Sequence, residues 1–583
     1  MRSAIPWAAL GLGLIPLSGA AATPAASAPL ALVSVTIPSG TIVGSAANGV
    51  ESFNGIPYAD PPEKELRMRP PQKLSTPLGT FNATRKAKLC PQGPIFDLSL
   101  VLNPPLAAVA TEAVVESFGV PAADENQSED CLTITITRPL DTQANASLPV
   151  LFYIFGGGFL VGGTSSVTND PAKFVKAAAD LGKPFIFAAV NYRVGGWGFM
   201  PGEDILNEGS ANAGLLDQRM GLQWVADNIA AFGGNASEVT IWGQSAGSIS
   251  VWDQLVMYDG DADYNGQPLF RAAIMNSGSV TPVDPVNSTK AEELYQHVVQ
   301  VAGCDGADDS LSCLRNLTDA EFAAAANSVP ALISYESLAL SYLPRPDGTV
   351  LTASPHVLAR EGKFHAVPMI FGSQEDEGTL FSLLQGDMGT TDKITNYLAD
   401  LYFHNADWNL VHDFVSTYSE RLEDGSPYRT GQFVGLFPYA GRKRIASILG
   451  DIVFTLVRRW TLENVAANRP DVSVWSSFAS YDWMTDKFFG LLKFFGTRHG
   501  SDTGVFFGGD NSSFPTRTGR AYYINFLYNL DPNVGLDAGV EWPQWTEDKE
   551  LLWYNATENG LLKDDFRSDS YDFINEHIDS LTF

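Results

Sequence analysis

Positive charge is scarce in this chain. Lys and Arg number 37 against 66 Asp and Glu, a formal charge of -29 over 583 residues. A surface of that sign repels phosphate backbones, so nucleic acid is excluded as an expected partner and the charge reads as a well-solvated, aggregation-resistant surface. Cysteine is scarcer: only Cys90, Cys131, Cys304 and Cys313 occur, with no Cys/His spacing that suggests a metal site. Beyond the N-terminus there is no apolar run long enough to span a bilayer. The best stretch, Pro149 to Gly163, holds five glycines and reads as strand plus loop. With 45% hydrophobic and 18% charged residues the chain can bury a large core, and disorder is not expected.

The first residues have their own pattern. Arg2, the largely apolar Ala4 to Leu17 and the small-residue run Gly19-Ala20-Ala21-Ala22 match a cleavable secretory leader over 1-22, and Pro6 and Pro16 interrupt what an anchor would need. The expected location is therefore extracellular. Eight Asn-x-Ser/Thr sequons, at Asn82, Asn126, Asn145, Asn235, Asn287, Asn316, Asn511 and Asn555, fit a glycosylated surface. In an oxidising compartment four cysteines imply two disulfides. Three pairings are open, of which the neighbouring one, Cys90 with Cys131 and Cys304 with Cys313, is simplest.

Short apolar runs recur between longer helical patterns: Val150-Ile154, Phe185-Val190, Val239-Trp242, Ala272-Met275, Val367-Phe371 and Val474-Phe478. That alternation predicts an α/β protein, a large and mostly parallel sheet flanked by helices. Ala213 to Ala231 has helical spacing and ends at Phe232-Gly233-Gly234. With no internal repeat or low-complexity linker, one domain over 30-583 is expected. The segment Pro91 to Asp130 stands out as apolar from Ile95 to Val115, with acids at Asp97, Glu112 and Glu116, the pattern of an amphipathic flap.

The strand-like Val239-Trp242 runs into Gly243-Gln244-Ser245-Ala246-Gly247. A sharp strand-to-helix turn of this kind pushes a serine out of the sheet, where a base can take its proton. Gly156-Gly157-Gly158 directly follows another strand, and glycine lets backbone amides approach a developing oxyanion. The expected donors are the amides of Gly157, Gly158 and Ala246.

Phe232-Gly233-Gly234, Val239, Ile241 and Gly243 to Gly247 together resemble the serine signature of the type-B carboxylesterase and lipase family. Glu129-Asp130-Cys131-Leu132 resembles its second marker, and Phe53-Asn54-Gly55-Ile56-Pro57-Tyr58-Ala59 its N-terminal segment. Ile154 to Phe159, Asn191-Tyr192-Arg193-Val194, Ala211 to Leu215 and Ser341 to Gly348 are similar to the Candida rugosa-like fungal lipases and sterol esterases. The resemblance implies an α/β-hydrolase fold with a lid within 91-130. It further implies Glu377, in Glu375-Asp376-Glu377-Gly378-Thr379, as the acid and His499, in Thr497-Arg498-His499-Gly500-Ser501-Asp502, as the base. The other six histidines, His297, His356, His365, His404, His412 and His577, sit in no motif. On the same basis Phe159, Leu338, Leu340 and Phe381 are expected to line the acyl pocket.

These roles imply acyl transfer through Ser245 with no cofactor. The expected activity is hydrolysis of lipophilic carboxylic esters, triacylglycerols or sterol esters. A carboxylesterase on short soluble esters is the alternative within the enzymes, and a non-catalytic cholinesterase-like adhesion module the one outside them; serine, acid, histidine and glycines all being present weighs against the last. The apolar flap would meet a lipid interface or pair two copies of the chain. Two departures from the family pattern stand out. Gln244 occupies a position often held by Glu, and Phe155 one often held by His, which agrees with the lipase branch.

Overall fold

The computed structural model describes residues 31-97, 126-165, 170-433, 438-481, 495-509, 511-536 and 539-583. The expected leader and most of the expected flap lie outside the described residues.

The chain begins with β1 (Ala31–Ile37), β2 (Gly40–Ala47), β3 (Val50–Pro57), β4 (Gly79–Asn82) and β5 (Thr133–Pro139). There follow β6 (Leu148–Ile154), β7 (Ile186–Val190) and β8 (Gly234–Gln244), then a small ribbon of β9 (Asp263–Tyr264) and β10 (Gln267–Pro268). The last strands are β11 (Ala272–Asn276), β12 (Met369–Gln374), β13 (Val474–Ala479), β14 (Glu550–Tyr554) and β15 (Asn559–Lys563). All but the ribbon join one sheet in the order β1-β2-β3-β5-β7-β6-β8-β11-β12-β13-β14-β15, with β4 beside β2. From β7 through β14 every pairing is parallel; the flanks are antiparallel except where β4 lies parallel to β2.

The chemistry of the strands explains the division. Every residue of β7, β11, β12 and β13 is buried, as strands covered by helices on both faces must be, so their sequences are apolar or small except for Asn276 and Gln374 at the ends of β11 and β12. β1 alternates towards its end, one side chain in and the next out, as an antiparallel flank half in water does. The six expected strands are therefore all present. Their ends differ by local causes: the run expected from Val367 begins instead at Met369, because Pro368 has no N–H to donate. The expected helix spans Ala213–Asn228 and then tightens into a 3-10 turn, Ile229–Phe232, before Gly233 at φ +87°. The flanking strands were not among those expected, since Gly, Ser, Thr and Glu interrupt their apolar residues.

Both disulfides form between neighbours, Cys90–Cys131 and Cys304–Cys313, spanning 41 and 9 positions. None of the eight sequon asparagines is buried. No helix among the described residues is long and apolar enough to cross a membrane. Loop-closure entropy grows with the span a cross-link closes, so removing Cys90–Cys131 by paired Ser substitutions should cost about 4 kcal/mol and removing Cys304–Cys313 about 2–3 kcal/mol. Urea unfolding without reductant should rank them in that order.

Candidate active site

β8 lies between β6 and β11, with Ile154 beside Gly243 and Asn276 beside Gln244. Its successor, Ser245, sits at φ 61°, ψ -130°, a region that non-glycine residues avoid, and helix Ala246–Gly260 starts at once behind it. The Ser245 amide donates to the Asn276 carbonyl at 2.9 Å, and the Ser245 carbonyl accepts from Ser248 and Ile249 at 2.8 and 3.0 Å. The neighbouring glycines are needed for contact rather than for torsion. A Cβ on Gly243 would stand 2.1 Å from the Gly247 carbonyl oxygen, and one on Gly247 2.1 Å from that of Ile154. On Gly156 it would stand 2.3 Å from the Gln244 carbonyl oxygen and 2.7 Å from the Ser245 Cβ. The glycine loop after β6 is thus pressed directly onto the serine turn.

The three residues expected to act together are brought together. The Ser245 Oγ is 2.7 Å from Nε2 of His499, and Nδ1 of His499 is 2.6 Å from Oε2 of Glu377. The second Glu377 oxygen accepts the Gln374 amide at 2.7 Å, fixing the carboxylate just past the end of β12. Both contacts on the imidazole are satisfied when Nδ1–H donates to Glu377 and Nε2 accepts from Ser245. Ser245, Glu377 and His499 are 4%, 1% and 0% exposed, so the chain of contacts is shielded from water. The Phe454 and Phe381 rings lie 4.5 and 5.1 Å from the imidazole and wall it in. The Gln244 side-chain nitrogen approaches Nε2 at 3.4 Å, so the residue replacing the family's Glu touches the base itself.

Gly157 and Gly158 have φ +116° and +62°, and the Gly157 carbonyl accepts from Leu160 and Val161 at 3.1 Å each. Neither glycine amide donates to an acceptor among the described residues, although both residues are buried. Buried N–H groups without acceptors are prepared for an incoming oxygen. Phe159, Leu338 and Leu340 meet around a narrow apolar cavity of ≈ 20 Å³ together with Ile249 and Val453. Phe381 is not on that wall; it packs on His499 instead.

Two acids beside the site had no role in the sequence, though both fall within the quoted segments. Asp376 accepts from the Thr497 amide (3.0 Å), the Tyr428 amide (2.8 Å) and the Ser426 hydroxyl (2.8 Å), and its own amide donates to the Thr497 carbonyl at 3.0 Å. It latches the acid loop to the histidine loop. Burial and then the charge of Glu375 push its carboxyl up to about 7. Asp502 is buried beyond His499; burial first, and the Glu377 charge second, raise its carboxyl from 3.8 to about 6. Among the remaining histidines, His356 bonds Asp579 and His297 approaches Ser328, both apart from this site. No group of three or more metal-ligating side chains occurs among the described residues.

The carboxylesterase family matches the chain over residues 31–574. The chain belongs to the carboxylesterase family. It is a carboxylic ester hydrolase. Among relatives of this carboxylesterase, secreted triacylglycerol lipase LIP1 of Gibberella zeae is 52% identical, the match covering 95% of this chain and 92% of the relative. Secreted lipase 1 of Botryotinia fuckeliana is 46% identical over 94% and 93%, and lipase 4 of Diutina rugosa 41% over 92% and 94%. The crystal structure of Aspergillus niger EstA superposes with a TM-score of 0.78 at 23% identity, covering 95% of this chain and 99% of that one, and shows the shared fold.

A carboxyl raised by folding favours the folded state while it stays protonated, fully below its unfolded value of 3.8, and loses that advantage as pH rises through about 6. Asp502→Asn, which cannot ionise, should therefore match the parent near about pH 4 and gain on it by up to about 3 kcal/mol by about pH 8. Chemical unfolding at both pH values checks this; a constant difference would contradict the raised carboxyl.

Proposed function

We propose that this carboxylesterase is a secreted lipase-type enzyme in which Ser245 attacks the ester carbonyl. The observation that carries the reading is the continuous chain Ser245–His499–Glu377, with contacts of 2.7 and 2.6 Å. His499 takes the serine proton at Nε2 as the Oγ–carbon bond forms, and Glu377 holds the imidazolium through Nδ1. The amides of Gly157, Gly158 and Ala246 receive the oxyanion; that of Ala246 belongs to the first turn of its helix, where amides have no intrahelical acceptor. The intermediate collapses, His499 returns the proton to the departing alcohol, and an acyl-enzyme is left. Water, deprotonated by His499, then releases the acid. These steps call on no metal or organic cofactor.

Lipophilic substrates, triacylglycerols or sterol esters, are supported by the apolar cavity whose wall includes Ile249, on the helix that follows Ser245, and by relatives named as lipases along nearly the whole chain. Secretion is supported by the N-terminal leader pattern and by two relatives named as secreted. Interfacial opening of a flap within 91-130 is supported by the family resemblance and the apolar sequence, and pairing of two copies through it by the apolar sequence. The narrowness of the cavity favours the second reading, an esterase of short soluble esters.

Hydrolysis of p-nitrophenyl butyrate, emulsified triolein and cholesteryl oleate by one preparation separates the two: turnover confined to the first selects the short-chain esterase. Ser245→Ala should lower kcat on every ester by about 10⁵–10⁶-fold while leaving Tm and circular dichroism unchanged. A folded variant keeping near-parental turnover would remove Ser245 from the mechanism.

A further inference from the structure

The helix behind the nucleophile carries an acid that the mechanism does not use. Asp253 lies eight residues beyond Ser245, about 12 Å along the helix axis at 1.5 Å per residue. It is 1% exposed, and neither carboxyl oxygen has a hydrogen-bond partner among the described residues. Burial alone raises its carboxyl well above the usual carboxylate range, which favours the protonated form, a group that both donates and accepts. Asp253 faces the apolar cavity lined by Phe159, Ile249, Leu338 and Val453. Thr281 lines the same cavity, and its hydroxyl is likewise buried and without a partner.

Three residues of that wall neighbour the reacting groups along the chain. Phe159 follows the Gly158 amide, Ile249 donates its amide to the Ser245 carbonyl at 3.0 Å, and Val453 precedes the Phe454 ring that lies 4.5 Å from His499. The cavity of ≈ 20 Å³ must widen to admit an acyl chain, which would then lead away from the ester carbon towards Asp253. Two unpaired polar groups on one apolar wall weaken binding of a plain hydrocarbon, because a methylene leaves them unsatisfied.

We propose that Asp253 and Thr281 form a hydrogen-bonding station in the acyl cavity, selecting ester chains that carry a mid-chain hydroxyl over unsubstituted chains. The proposal rests on the reading of this cavity as the acyl site. The substrate hydroxyl accepts from the Asp253 carboxylic acid and donates to Thr281, so each of the two unpaired side chains gains one hydrogen bond.

The test compares kcat/KM on emulsified triolein and on triricinolein, an ester of the same chain length and unsaturation with one hydroxyl on each acyl chain. The parent should prefer triricinolein. Asp253→Leu should lower the triricinolein-to-triolein ratio about tenfold, losing on the hydroxylated ester and gaining on the plain one. Thr281→Val should move the ratio in the same direction by less, and it reads the same ratio if Asp253→Leu fails to fold. A purely structural role would lower both substrates alike, so turnover of both esters with an unchanged ratio overturns this proposal and leaves the lipase reading standing. No turnover of either ester by the parent overturns the two together.

Discussion

Everything in the site depends on the fit of the serine turn between its neighbours. Ser245 is held at φ 61° by a strand that enters, a helix that leaves and the Asn276 carbonyl that takes its amide. A torsion of that kind costs on the order of 1–3 kcal/mol and persists only where the surroundings over-determine it. Here they do, since Gly156, Gly243 and Gly247 admit backbone atoms to distances at which no side chain would fit. The same close approach that forces the turn brings the glycine loop to the serine, so strain and oxyanion geometry have one origin.

The parallel centre of the sheet gathers the remaining groups. Its strands share a direction, so the segments leaving β6, β8, β12 and β13 emerge on one side: the glycine loop, Ser245, Glu377 and, further along, His499. Sites at the carboxyl ends of parallel strands are the general rule for open α/β sheets. The family markers around this centre are structural in this chain. Glu129 accepts the Arg67 guanidinium at 2.6 Å and the Trp197 indole at 2.8 Å, and Arg193 pairs with Asp217 at 2.7 Å, both well inside the protein.

The central fold was legible because strands buried on both faces write themselves as unbroken apolar runs, and the nucleophile because its turn needs glycine at fixed offsets. The flanking strands were less legible, being half-exposed and interrupted. Of Glu375, Asp376 and Glu377, sequence chemistry alone could not single out a partner for His499; family resemblance did. The structure separates them: Glu375 pairs with Arg429, Asp376 latches two loops, and Glu377 faces the imidazole. Asp253 and Asp502 were invisible for a related reason. An acid in a sequence reads as surface, and only packing reveals one held in an apolar interior. Phe381, expected from the family match to line the acyl pocket, packs against the base, a contact that no residue pattern encodes.

The latch made by Asp376 changes how the geometry of the site is to be counted. Through it the loop bearing Glu377 and the loop bearing His499 are fastened at both an amide and a carboxylate, so acid and base form one piece. Ser245 and its glycine loop form another, fused by steric contact. Alignment for proton transfer therefore reduces to a single docking tolerance between these pieces. The cavity wall takes Phe159 from the end of the glycine loop and Val453 from beside the Phe454 that walls His499, so it draws one residue from each side of that docking and the acyl site shares its tolerance.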